Sequence, residues 1–313
     1  MRRRLRIVRW AFALGLCGLW LAGTLAPLGF LKLAITLDSL RSGVEHVQVS
    51  SDGMRWSLLR REGAAGAPTV LLLHGFTGSK ENWLPLVRAL PSDWNLIAPD
   101  LPGWGESERV EGVEYGYAAQ ADRLARLIRT LELSEVLLVG HSMGGGIAAV
   151  TAARHPEAFS RVALLSAAGT RFRDNPFGLA VLRGEHPFAV QDRESLNRYL
   201  GLVFERPPWL VWPLPQALVE RRIRDYEFEL QVLNALRGES AFLPGDLAAG
   251  IRQPTLLLWC RDDPVVDASS ADLYADRIDK NRIVLLDDCA HMPMMERAAD
   301  TADALRLLWE SPP

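Results

Sequence analysis

The chain has 313 residues, 49% of them hydrophobic, enough to bury a substantial core in one large domain or two ordinary ones. Its 35 Lys and Arg against 38 Asp and Glu give a formal net charge of -3, so nothing in the overall balance points to nucleic acid. Three cysteines, Cys17, Cys260 and Cys289, match no metal-site spacing. They allow at most one intramolecular pair, which excludes a disulfide framework and leaves the redox compartment unread.

The N-terminal stretch differs from the rest. Arg2, Arg3, Arg4, Arg6 and Arg9 precede an uncharged run, Trp10 to Leu31. At ~1.5 Å rise per residue this run is long enough for a hydrocarbon core of ~30 Å. It reads as an uncleaved anchor rather than a removed signal peptide, because its apolar region is long and the small-residue sites near Ala22 to Ala26 are poor. Pro27 and Gly29 are expected to bend or end that helix, and LKLAITLDSL (31–40) to follow as an amphipathic helix at the interface. Arginines before the span and few basic residues after it put the N-terminus in the cytoplasm and the body across the membrane. Residues 1–40 are therefore expected to form a membrane anchor and juxtamembrane helix in contact with membrane lipids.

From Val44 onward, short apolar runs alternate with helical patterns. VEHVQVS (44–50) and MRWSLLR (54–60) alternate in polarity and meet at Asp52-Gly53, a hairpin signal. TVLLLH (69–74), WNLIAP (94–99), EVLLVG (135–140), RVALLS (161–166), PTLLLWC (254–260) and RIVLLD (282–287) are continuous apolar runs, as strands buried on both faces require. Between them Glu81–Leu90, Tyr117–Leu131, Met143–Arg154, Ala271–Ile278 and Glu296–Trp309 read as helices. The expected fold class is α/β: a mostly parallel eight-stranded sheet with helices on both faces, built from residues 44–169 and 252–313. Residues 170–251 carry no buried strand pattern and are rich in Phe, Trp and Pro, as in FERPPWLVWPLP (204–215). A structureless loop of that length is improbable in a compact domain, so this stretch is expected to be a helical lid over an apolar pocket.

Gly140-His141-Ser142-Met143-Gly144 stands between the strand EVLLV and a helical pattern. A serine hydroxyl becomes a useful nucleophile when it is exposed on a tight strand-to-helix turn, beside a base and oxyanion donors. Ser142 is the expected nucleophile, and the backbone N–H of Met143 one oxyanion donor. His74-Gly75-Phe76-Thr77-Gly78-Ser79 follows the strand TVLLL and is expected to supply the second donor from the Phe76 N–H, with His74 a structural residue of that loop. The base is expected after the last strand, where DDCAHMPMMERA (287–298) offers His291. His46, His155 and His186 have no comparable setting, and the His141 side chain is expected to point away from that of Ser142. The acid is expected after the penultimate strand: WCRDDPVVD (259–267) offers Asp262, Asp263 and Asp267, with Asp263 preferred and Asp262 its main competitor. Asp287 and Asp288 are expected to cap the last strand or to be solvated. No ligand spacing calls for a metal, and the chemistry needs no cofactor.

In HGFTGS, DLPGWGES (100–107), GHSMGG, WCRDDPVV and AHMPMMER, the body from about Val44 to Trp309 resembles the α/β-hydrolase superfamily. With the anchor included, the chain resembles the membrane-anchored bacterial lipases and phospholipases A. That resemblance implies hydrolysis of acyl esters, including glycerophospholipids and monoacylglycerols, by a single-pass inner-membrane enzyme whose catalytic domain faces the periplasm. A homodimer is the assembly it implies. Cys260 departs from the pattern, standing where the family usually has glycine. Aspartate-nucleophile relatives are excluded by serine at 142, whereas carbon–carbon bond hydrolases, cofactor-free peroxidases and acyltransferases share the triad. A silent binding protein of this fold would carry a degenerate triad, and these motifs are intact.

Overall fold

The computed structural model describes residues 20–311. The first part of the expected membrane span, residues 10–19, and all of the basic cluster before it, lie outside them. Among the described residues no helix is long and apolar enough to cross a membrane. Residues 20–25 are helical, the helix breaks at Ala26, and Pro27 opens α1 (Pro27–Arg41). Proline suits that first position because its missing N–H has no intrahelical partner there. One expectation is corrected: α1 is a helix, but its apolar side chains are spread round its circumference rather than gathered on one face.

Eight strands form one sheet: β1 (Glu45–Ser51), β2 (Met54–Arg61), β3 (Thr69–Leu73), β4 (Asn95–Pro99), β5 (Val136–His141), β6 (Phe159–Leu165), β7 (Thr255–Cys260) and β8 (Asn281–Leu286). Their order is β1-β2-β4-β3-β5-β6-β7-β8. Only β2 runs against its neighbours β1 and β4; every other pairing is parallel. The β1–β2 hairpin closes through Asp52 at φ 55° and Gly53 at φ 72°, the positive angles that a tight hairpin turn demands. Every residue of β5 and β7 is buried, as their unbroken apolar runs predict.

The helices between strands fall close to the expected spans: α2 (Leu84–Ala89), α3 (Tyr117–Thr130) and α4 (Met143–Arg154). The first of these is preceded by a 3₁₀ turn over Lys80–Trp83, where an extended helix was expected. That turn is anchored by an ion cluster: the buried Lys80 Nζ donates to the buried Asp100 Oδ2 at 2.7 Å and to the half-exposed Glu106 Oε2 at 3.1 Å. The segment DLPGWGES is thereby a structural turn. Residues 170–251 contain α5 (Pro176–Leu182), α6 (Arg193–Val203), α7 (Leu214–Ala235) and α8 (Leu243–Leu247), and no strand. The chain ends with α9 (Ser269–Ala275), α10 (Pro293–Glu296) and α11 (Ala298–Glu310). Because β3, β5, β7 and β8 are parallel, the loops leaving them emerge on one edge of the sheet. That edge is where ligands bind in sheets of this kind.

Candidate active site

Ser142 sits at φ 52° and ψ -118°, a strained combination for a non-glycine residue and one that turns the chain sharply from β5 into α4. Surrounding hydrogen bonds hold the strain: the Ser142 N–H donates to the Leu165 carbonyl, and its own carbonyl accepts from Gly146 and Ala168, all at 3.0 Å. The flanking glycines are obligatory for packing. A Cβ on Gly140 would overlap the Gly144 carbonyl oxygen, and one on Gly144 would overlap the carbonyls of Leu73 and His74. Such crowding draws β3, β5 and α4 together at one point.

His291 lies between β8 and α10, and Asp263 in the loop that leaves β7. Both are buried, as is Ser142. The His291 Nδ1–H donates to Asp263 Oδ2 at 2.7 Å, while Asp263 Oδ1 accepts from the backbone N–H of Val265 and Val266 at 2.8 and 3.0 Å. With Nδ1 carrying the proton, the Nε2 lone pair of a neutral imidazole is left free to act as a base. Asp262 is exposed, and Asp287 pairs with Arg261 at the surface. Ser142 and His291 line the same small cavity, together with Gly75, Phe76 and His141. No hydrogen bond joins the Ser142 hydroxyl to His291 in this structure. Among the described residues, no protein group accepts from the Phe76 or Met143 backbone N–H. For Met143 this follows from its place as the first residue of α4.

The other histidines here are structural. His74 Nδ1–H donates to the Gly75 carbonyl at 2.8 Å and Nε2 accepts from the Leu101 N–H at 3.0 Å. Burial pulls its pKa down to about 4. His141 is a correction. Its ring does not point away but lines the cavity beside Ser142 and lies 4.7 Å, centroid to centroid, from the His291 ring. Its Nε2–H donates to the His291 carbonyl at 2.7 Å, and burial with the neighbouring imidazole holds it well below the usual histidine range. Chain order alone could not expose this contact, because it joins two loops distant in sequence.

Cysteine pairing was equally invisible. Cys260, at the end of β7, forms a disulfide with Cys289, whose Cα lies 5.4 Å away in the His291 loop. The one pair that the composition allows therefore ties the Asp263 loop to the His291 loop. Among the described residues, no group of three or more His, Cys, Asp or Glu side chains is arranged to hold a metal ion.

From Ser142 a second cavity of about 400 Å³ runs between the sheet edge and residues 170–251. Its walls include Phe172, Phe177, Phe188, Leu233, Leu236 and Val266, with Arg171 and Arg237 among the few charged residues. The helices that wall it are tied down by a buried cluster in which Arg222 donates to Glu229 at 2.6 and 3.0 Å and to the Phe188 carbonyl at 2.6 Å. The Tyr199 hydroxyl reaches Thr77 Oγ1 at 3.1 Å, joining α6 to the loop that carries Phe76.

Residues 68–298 match the family model for the alpha/beta hydrolase fold. Lipase 1 of Psychrobacter immobilis is 30% identical over 241 residues, 76% of this chain and 75% of its own length. The monoacylglycerol lipase ABHD6 of Homo sapiens is 31% identical over 250 residues, 75% of this chain and 73% of its own length. Among solved structures, a membrane phospholipase A described as a bacterial virulence factor superimposes with a TM-score of 0.86 at 32% identity, covering 99% of this chain and 98% of its own. A meta-cleavage product hydrolase from Pseudomonas fluorescens superimposes with a TM-score of 0.71 at 23% identity, a likeness of fold alone.

Proposed function

The chain belongs to the α/β-hydrolase family, and from that membership we propose that it hydrolyses carboxylic esters of lipids through an acyl-enzyme on Ser142. The lipase, monoacylglycerol lipase and phospholipase A relatives support lipid ester hydrolysis. The observation that carries the chemistry is the His291–Asp263 hydrogen bond at 2.7 Å, in a cavity shared with Ser142. His291 Nε2 takes the hydroxyl proton as Ser142 Oγ attacks the ester carbonyl. The carbonyl oxygen becomes an oxyanion held by the Phe76 and Met143 N–H groups. His291 then gives its proton to the leaving alcohol or lysolipid. Water, deprotonated by the same imidazole, cleaves the acyl-enzyme and releases the fatty acid. Throughout, Asp263 fixes the imidazole tautomer and stabilises the imidazolium.

The substrate reading rests on the apolar cavity beside Ser142, with residues 170–251 acting as a lid over it. Each buried methylene of an acyl chain adds ~0.8 kcal/mol, so such a wall favours medium and long chains over short ones. Glycerophospholipids and monoacylglycerols are the substrates proposed. The N-terminal apolar run is proposed to anchor the chain in a bacterial inner membrane with the catalytic body on the periplasmic side. A Cys260–Cys289 disulfide suits an oxidising compartment.

The test is fluorophosphonate labelling with peptide mapping, followed by assays on medium-chain esters, monoacylglycerols and phospholipids. Label is expected on Ser142, with fatty acid released from at least one of these classes. Ser142→Ala is expected to lower kcat by ~10⁴-fold or more while circular dichroism stays native. A wild-type enzyme that releases no acid from any of them would remove the substrate reading.

A further inference from the structure

The backbone around His291 is held from the cap as well as from the core. The His291 N–H donates to the carbonyl of Val203, the last residue of α6, at 3.1 Å. One residue earlier, the Ala290 N–H donates to Glu296 Oε2 at 3.0 Å. The other oxygen of that carboxylate, Oε1, accepts from the backbone N–H of Glu205 at 2.9 Å and of Arg206 at 3.3 Å. One side chain therefore joins the His291 loop to the segment that leaves α6. The same helix reaches the far side of the site, where Tyr199 meets Thr77, next to Phe76.

We propose that Glu296 is a positioning residue: it couples the cap segment 199–206 to His291, so that the base stands in register with Asp263 and Ser142 only while the cap is seated. The proposal rests on the reading of His291 as the base. Hydrogen bonds to an ionised carboxylate are roughly twice as strong as neutral ones, and three of them converge here from two separate segments. A displacement of ~1 Å at a base costs on the order of 10²-fold in rate, so slack in this tie is felt in turnover. Fold stability depends on it less. Glu296 is only partly buried and lines an open groove of about 440 Å³ with Phe204, Arg206 and Arg297, where water can solvate the three amides once the carboxylate is gone. Cap movement and base alignment are then coupled. A cap lifted off its seat takes the Val203 carbonyl from His291 and the two cap amides from Glu296 Oε1, so that the carboxylate holding Ala290 is itself no longer fixed.

Full-length protein in detergent micelles, with Glu296→Ala and Glu296→Gln beside the wild type, decides the matter. Measured are kcat and KM on a short-chain p-nitrophenyl ester, the pH profile of kcat/KM, the fluorophosphonate labelling rate, the downfield Nδ1 proton resonance of His291 and the melting temperature. Glu296→Ala is expected to lower kcat by ~30- to 100-fold with KM within ~3-fold, to move the acid limb of the profile and to broaden the resonance, as a base held ~1 Å loosely should. Glu296→Gln keeps one accepting oxygen and is expected to fall between the two. A folded Glu296→Ala protein with wild-type kcat, profile and resonance overturns the proposal. If Glu296→Ala does not fold, Glu296→Gln decides, and wild-type values in that variant overturn the proposal equally. A wild type that resists labelling sinks the assignment of the base itself, whereas a labelled wild type with an indifferent Glu296→Ala sinks the coupling alone.

Discussion

Asp262 and Asp263 are neighbours in the chain, yet one faces solvent and the other is buried with both carboxylate oxygens occupied. Asparagine at 263 is nearly isosteric but can present an amide to Nδ1, which favours the wrong imidazole tautomer. Asp263→Asn is therefore expected to lose ~10³- to 10⁴-fold in kcat, while Asp262→Asn stays within ~2-fold; steady-state ester hydrolysis measures both. His74 makes a different prediction, about stability. Burial lowers its folded pKa to about 4 from 6.5, so between those values the unfolded chain binds the extra proton. Stability from this residue is complete above pH ~6.5 and is lost as pH falls toward ~4, by about 3 kcal/mol in all. Urea unfolding from pH 7 to 4 should show that slope, and His74→Gln should flatten it. Equal slopes in the two proteins would contradict the assignment.

The central strands β3 to β7 were legible because burial leaves apolar runs, β1 and β2 because they alternate about a hairpin signal, and the turn after β5 because its glycines are sterically required. The same apolar run found β8, but it is the edge strand and is exposed or half-buried rather than covered on both faces. The 3₁₀ turn at Lys80–Trp83 was not legible, since the ion cluster with Asp100 and Glu106 that shapes it is made by residues further along the chain. The same holds for the disulfide between the ends of β7 and the β8 loop. Its two cysteines are 29 residues apart, and closing a loop of that length restricts the unfolded chain by about 3–4 kcal/mol. The double variant Cys260→Ala and Cys289→Ala is expected to melt roughly 5–10 °C lower. Its kcat at 25 °C should change by under ~3-fold, because the His291–Asp263 hydrogen bond and the His141, Val203 and Glu296 contacts remain. Calorimetry beside an ester assay separates the two effects, and an inactive but fully folded variant would mean that the bond itself aligns the site.

Two bodies of apolar surface meet on the outside of the molecule. Arg88 Nη1 donates to Asp38 Oδ1 and Ser42 Oγ at 2.8 Å, fixing the end of α1 to the catalytic body. The ring of Trp212 presses against Gly23, inside the apolar run proposed to anchor the chain. Nearby in the chain, Trp209 is 89% exposed, an unusual position for tryptophan in water and a common one at a lipid interface. A chain lacking residues 1–26 keeps α1 seated and is expected to leave the membrane fraction after a carbonate wash, whereas the full chain stays in the pellet. A truncated form that still resists the wash would refute the anchor.

Local pattern was sufficient for the strands, for the sharp turn at Ser142 and for placing Ser142, Asp263 and His291, the proposed nucleophile, acid and base, on loops after successive strands, because each is written in a few consecutive residues. Folding alone settled which aspartate meets His291, that Cys260 pairs with Cys289, that His141 turns toward the cavity and that Glu296 bridges residues 205–206 and the His291 loop. Those outcomes depend on the meeting of loops from different strands of one parallel sheet. Burial, hydrogen-bond direction and covalent closure become definite only after those strands align.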